Sequence, residues 1–66
     1  MRIEEIHNLL MEGQGNEFVA AADEYGQYDF FPSYSNWLKG EFSCDMTKAF
    51  NLLQHAINVY HHIKYR

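Results

Sequence analysis

The sequence predicts an all-α protein, a small bundle of three short helices packed on one long C-terminal helix. Three observations predict it. Apolar residues recur at helical spacing in four separate segments. Glycines and small polar residues punctuate the joints between those segments. No stretch alternates apolar and polar residues long enough to form a convincing strand; Tyr28–Phe31 is the most β-prone run and is too short to build a sheet.

The first helix is expected over Arg2–Glu12, where Ile3, Ile6 and Leu10 share one face and Gly13 suits a left-handed stop after the last turn. The second is expected over Glu17–Tyr25. Asn16 is a good N-cap, Glu17 suits the positive end of the helix dipole, and Phe18, Ala21, Ala22 and Tyr25 form the stripe before Gly26. Asp29 caps a third helix over Phe30–Lys39. Pro32 then falls in its first turn, where the missing N–H costs little, and Gly40 ends it. A Ser33 cap would shorten this helix to two turns. In it Phe31, Tyr34 and Leu38 share a face, with Trp37 beside them.

The fourth helix is the most strongly patterned. Ser43 or Asp45 caps it, no Gly or Pro interrupts it, and it runs to about Lys64. Met46, Ala49, Phe50, Leu53, Ala56, Ile57, Tyr60 and Ile63 form an amphipathic stripe that Leu52 and Val59 widen.

The 66 residues read as a single domain, 1–66. A chain this small is marginal alone and usually needs a disulfide, a metal or a second copy. Cys44 is the sole cysteine, which rules out an internal disulfide and fits a reducing compartment; its expected role is that of a small buried apolar residue. No targeting segment and no apolar run of membrane-spanning length is visible, so the expected location is the cytoplasm, away from membranes. The chain has the proportions of a phage or mobile-element accessory protein. Hydrophobic residues make up 47% of it, enough apolar surface to drive collapse.

Charge is unevenly distributed. Residues 1–45 hold nine acids against Arg2 and Lys39, a balance of −7; residues 46–66 hold Lys48, Lys64 and Arg66 and no acid, a balance of +3; the whole carries −4. Packing of the two parts on each other accounts for this more simply than a basic tail for nucleic acid does.

Chemistry finds little purchase. Gly13 and Gly15 are connector punctuation rather than a phosphate loop. His55 and His62 are seven residues apart, about 10 Å along a helix, too far to share one ion, and nothing in the spacing brings His7 to Cys44. The acids lie at helix termini and exposed faces, and a chain this small rarely encloses a catalytic pocket. No catalytic residue, cofactor or metal is expected, and the protein is not expected to be an enzyme. Acidic mimicry of DNA is also disfavoured, because nine acids are offset by five bases and interleaved with Gly, Asn and Gln.

Ala22 lies four residues before Gly26, and Ser35-Asn36-Trp37-Leu38-Lys39-Gly40 closes the same region. Over residues 18–40 this resembles the helix-turn-helix of Cro- and repressor-type regulators. The resemblance implies DNA binding through the third helix; on that reading the basic tail Tyr60–Arg66, outside the resembling segment, is the expected backbone contact. The sequence departs from the family pattern in two ways. The gap from Gly26 to Trp37 is two residues longer, and Pro32 sits inside the recognition segment. That segment also offers only Lys39 to phosphates, so nucleic acid ranks second as a partner.

Protein contact ranks first. Tyr25, Tyr28, Phe30, Phe31, Tyr34 and Trp37 crowd thirteen residues, more than a small core can bury together with the fourth helix's stripe. Exposed Tyr and Trp are common interface anchors. The fourth helix also outruns its neighbours, which leaves Ile57, Val59, Tyr60 and Ile63 in its distal half in need of cover, unless the first helix folds back over them. The expected interface is therefore Tyr28, Phe30, Tyr34, Trp37, Ile57, Val59, Tyr60 and Ile63. The expected partners are a second copy, as a homodimer, and a further protein, in a regulatory or interaction module.

Overall fold

The computed structural model describes residues 2–66. Its four helices are α1 (Ile3–Met11), α2 (Gly15–Tyr25), α3 (Gln27–Glu41) and α4 (Met46–Lys64), and no strand occurs among the described residues. The fold is the expected small all-α bundle. Its packing is more specific: α2 and α3 pack on each other and both lie on α4, while α1 packs chiefly on α2. At 1.5 Å per residue the nineteen residues of α4 span about 28 Å, close to the 31 Å long dimension of the molecule.

Helix starts and stops follow from local chemistry. Glu4 and Glu5 sit at the positive end of α1, where the Arg2 backbone N–H donates to Glu5 Oε2 at 3.3 Å. The far end closes in a Schellman turn: the Gln14 N–H donates to Leu9 O at 2.8 Å and the Gly13 N–H to Leu10 O at 3.2 Å, with Gly13 at φ +82°. That turn leads straight into α2, which starts at Gly15 behind Gln14; Asn16 is inside the helix and is not the cap.

Gly26 alone joins α2 to α3. Its φ of +81° is a conformation L side chains rarely adopt. α3 therefore begins three residues earlier than expected, and Pro32 falls in its second turn, where it cannot donate to the Tyr28 carbonyl. Gly40 does not end α3. A helical glycine with open space around it is tolerated, and the helix runs on to Glu41, where the Phe42 N–H still bonds Leu38 O at 3.2 Å. Ser43, at φ +49°, turns the chain into α4, and Asp45 caps that helix by accepting from the Lys48 N–H at 2.7 Å.

The core is aromatic. The row on α3 that faces inward is Phe30, Tyr34 and Leu38, all fully buried; Phe31 is only half-buried. Phe30 and Tyr34 stack at 5.6 Å between ring centres, Phe18 meets Phe30 edge-on at 5.5 Å, and Phe31 meets Tyr60 edge-on at 5.7 Å. Ala22, Ala49 and Ala56 let the helices approach around these rings, and Ile6 fills the core beside them. Cys44 is half-buried, its thiol 3.2 Å from Leu38 O.

Candidate protein-interaction surface

Three of the eight residues expected at an interface are instead core. Phe30, Tyr34 and Tyr60 are fully buried within this chain's own fold and offer nothing to a partner. Phe30, Tyr34 and Leu38 are four residues apart on one face of α3, and that face is turned to the other helices, with Phe30 on Phe18 and Tyr34 on His7. Tyr60 is buried under Phe31, and its hydroxyl donates to Asp23 Oδ1 at 2.6 Å. The Lys64 ammonium donates to the same oxygen at 2.9 Å, so α2 is pinned to the last turn of α4. These hydrogen bonds, that from Tyr60 first, hold Asp23 below the usual carboxylate range, and they raise both Tyr60 and Lys64.

The remaining five divide. Tyr28 is 87% exposed on the outer side of α3. Trp37 is half-buried, 5.2 Å from His7 and 5.1 Å from Phe42 between ring centres. Ile57, Val59 and Ile63 are half-buried. Val59 and Ile63 are partly covered within the chain, because Gly15 lies against them. A Cβ built on Gly15 would come within 2.6 Å of Ile63 Cδ1 and 3.4 Å of Val59 Cγ1. The α1–α2 corner thus covers Val59 and Ile63 in part, in the manner of the fold-back alternative, and both still line a cleft open to solvent.

The barer half of α4 is the proximal one. Met46 is 76% and Phe50 62% exposed. Both lie on the amphipathic stripe read from the sequence, at the edge that faces away from Ala49, Ala56 and Tyr60. At 100° per residue, Met46, Phe50, Leu53 and Ile57 fall within about 60° of one another and form a single ridge. Beside the ridge stand Thr47, Gln54, Asn58 and His61, all exposed, with Gln54 Nε2 donating to Asn58 Oδ1 at 3.2 Å. The fifteen residues Ala49–Ile63 contain no Asp, Glu, Lys or Arg, in a chain of which 21% is charged. This uncharged run was visible in the sequence and was the signal that could have located the surface.

His7 is the buried polar residue that sequence reasoning missed. Its Nδ1 shares a 2.7 Å hydrogen bond with the Tyr34 hydroxyl. Burial lowers the His7 pKa from its usual 6.5 and pushes Tyr34 up to about 12, so a protonated tyrosine can donate to a neutral imidazole.

Other features are modest. A cleft of about 350 Å³, open to solvent, lies between the α1–α2 corner and α4, with Asn16, His55 and Arg66 at its polar edge. No group of three His, Cys, Asp or Glu side chains converges on a metal-sized space among the described residues. No helix there is long and apolar enough to cross a membrane.

The helix-turn-helix resemblance gains nothing from the geometry. That motif joins its helices by three or four residues, whereas Gly26 alone joins α2 to α3. The outward side of α3 presents Tyr28, Asp29, Pro32, Ser33, Asn36 and Lys39, a face with one base and one acid. No protein-family model, curated protein or solved structure matches the chain.

Proposed function

We propose that the protein is a small non-enzymatic interaction or regulatory module that self-associates and acts by binding a partner protein. One observation carries the reading: an apolar ridge on α4, led by Met46 and Phe50, is open to solvent and flanked along α4 by the uncharged Thr47, Gln54, Asn58 and His61. The centres of protein interfaces are depleted in charge and enriched in Met and aromatic residues. The titratable groups with displaced pKa values support the non-enzymatic part, since they are tied up in pairs that join helices, His7 with Tyr34 and Asp23 with Tyr60 and Lys64.

A photoreactive amino acid in place of Gln54, beside the ridge, tests the proposal against the same probe in place of Glu17 on α2. Irradiation in cells is expected to give protein adducts at position 54 and far fewer at 17. Equal yields at both, or no protein adduct at 54, would overturn the reading. Generic duplex DNA is expected to bind more weakly than about 100 μM at physiological salt. A gel shift at low micromolar protein would instead favour the repressor-like alternative.

A further inference from the structure

We infer that the occupant of the α4 ridge is a second copy of this chain, packed antiparallel across a two-fold axis between the levels of Asn51 and Leu52. The inference rests on the interaction reading above and names the partner. Its first support is spacing. Met46, Phe50, Leu53 and Ile57 are separated by four, three and four residues, a pattern that reads the same in both directions. An antiparallel copy in this register sets Met46 against the partner's Ile57 and Phe50 against the partner's Leu53, so every apolar side chain on the ridge meets another.

The second support is charge. In a two-fold interface a surface packs on itself, so any charge near the axis meets its own kind. Exposed acids stand on each of the other helices: Glu4 and Glu5 on α1, Glu17 and Glu24 on α2, Asp29 on α3. The ridge and its Thr47, Gln54, Asn58 and His61 flank are uncharged, and Lys48 lies about 160° away from the Phe50 direction around the helix. The ends are complementary: Glu41 and Asp45 precede α4, while Lys64 and Arg66 close it. Antiparallel packing brings the acidic approach of one copy toward the basic end of the other and opposes the two helix dipoles. A parallel pair would set Asp45 on Asp45 and Lys64 on Lys64.

The third support is area. At roughly 150–250 Å² for a large side chain, Met46 and Phe50 alone leave a few hundred square ångströms of apolar surface exposed per copy. With the half-buried Leu53 and Ile57 and the polar flank, the contact falls at the small end of specific interfaces, which fits a dimer with Kd on the order of 10–100 μM.

Sedimentation velocity up to about 500 μM, several-fold above that Kd, tests the inference alongside circular dichroism. The wild type is expected to shift from monomer to dimer with concentration. Phe50→Glu, on an exposed residue, is expected to stay helical and lose at least about tenfold in dimer affinity, as loss of a central interface residue does. Met46→Lys alone is expected to weaken the dimer, and adding Ile57→Glu to restore most of that loss, because antiparallel packing pairs the new charges across the axis. A monomeric wild type over the whole range, or a Phe50→Glu protein that dimerises as before, would overturn the inference. So would a Met46→Lys, Ile57→Glu protein weaker than Met46→Lys alone, the outcome of parallel packing. A monomeric wild type whose position-54 probe still captures another polypeptide would overturn the second copy as occupant, and self-association with it, and leave standing only the partner-binding half of the interaction reading.

Discussion

The two halves of α4 carry the same kind of sequence and meet different surroundings. Both are apolar on one side and polar on the other, with no break in the helical period. The distal half is held from outside: Gly15 lies on Val59 and Ile63, Phe31 on Tyr60, and Asp23 takes hydrogen bonds from Tyr60 and Lys64. The proximal half buries Ala49 but leaves Met46 and Phe50 in solvent. Periodicity tells which side of a helix is apolar. How far along the helix that side is covered depends on where remote segments land.

The largest expected effect sets these halves directly against each other. Tyr60→Ala removes a fully buried ring, and emptying such a site costs about 3–5 kcal/mol, enough to unfold much of a domain this small. Phe50→Ala removes a ring of similar size from solvent and should change monomer stability by no more than about 0.5 kcal/mol. Urea denaturation at low protein concentration measures both. Equal losses would mean that the proximal half is covered in solution.

A substitution at the cover itself comes next. Gly15→Leu would drive a side chain into Val59 and Ile63, an overpacking that costs about 1–3 kcal/mol, whereas Gly15→Ala needs only the flexible end of Ile63 to move and should cost much less. The ordering Leu worse than Ala, read from thermal melts, is the expected result. If Leu is as stable as wild type, the α1–α2 corner does not press on α4.

Acid should act on the closed side of the molecule. His7 is packed among Tyr34, Trp37 and Phe42, and burial lowers its pKa. In the unfolded chain His7 takes up a proton as pH falls through about 6.5, while the folded imidazole resists until lower pH. The unfolded state therefore binds more protons in that window, so stability is complete above pH 6.5 and declines below it. His7→Gln, which keeps a partner for the Tyr34 hydroxyl, should flatten that decline in denaturant titrations between pH 7.5 and 5. An unchanged slope would place its origin elsewhere.

Much of this was legible in the residues themselves. Gly13 and Gly26 mark positive-φ joints because few other residues go there, and Asp45 marks the start of α4 because a carboxylate satisfies a free N–H. Gly40 misled, since a glycine permits a stop without requiring one, and the Phe42 N–H continues the helical ladder past it. Asn16 misled because the Schellman turn at Gly13 already delivers the chain into α2. The surface was half legible. The aromatic window announced more rings than one side could bury, but which face of α3 turns inward depends on the helices it meets, and that face holds Phe30 and Tyr34 and leaves Tyr28 out. The cover over Val59 and Ile63 comes from a glycine more than forty residues away in sequence, which no local pattern encodes.

The smallest expected effect concerns what holds the proximal half in place of packing. Its first turn, Met46, Thr47 and Lys48, is exposed throughout, so burial contributes little there. What remains is local: the Asp45 carboxylate bonded to the Lys48 N–H at 2.7 Å, and its charge at the positive end of the helix. The distal end needs no such device, because the Asp23 network ties it to α2. Asp45→Ala should therefore cost about 1 kcal/mol, the usual worth of an N-cap, and the loss should be uneven. Amide exchange should quicken in the first turn of α4 and stay unchanged beyond Ala56. Asp45→Asn, which keeps an acceptor oxygen, should recover most of the protection. If exchange quickened equally at both ends, α4 would be melting as one unit, and the contrast between its capped and its covered half would not hold.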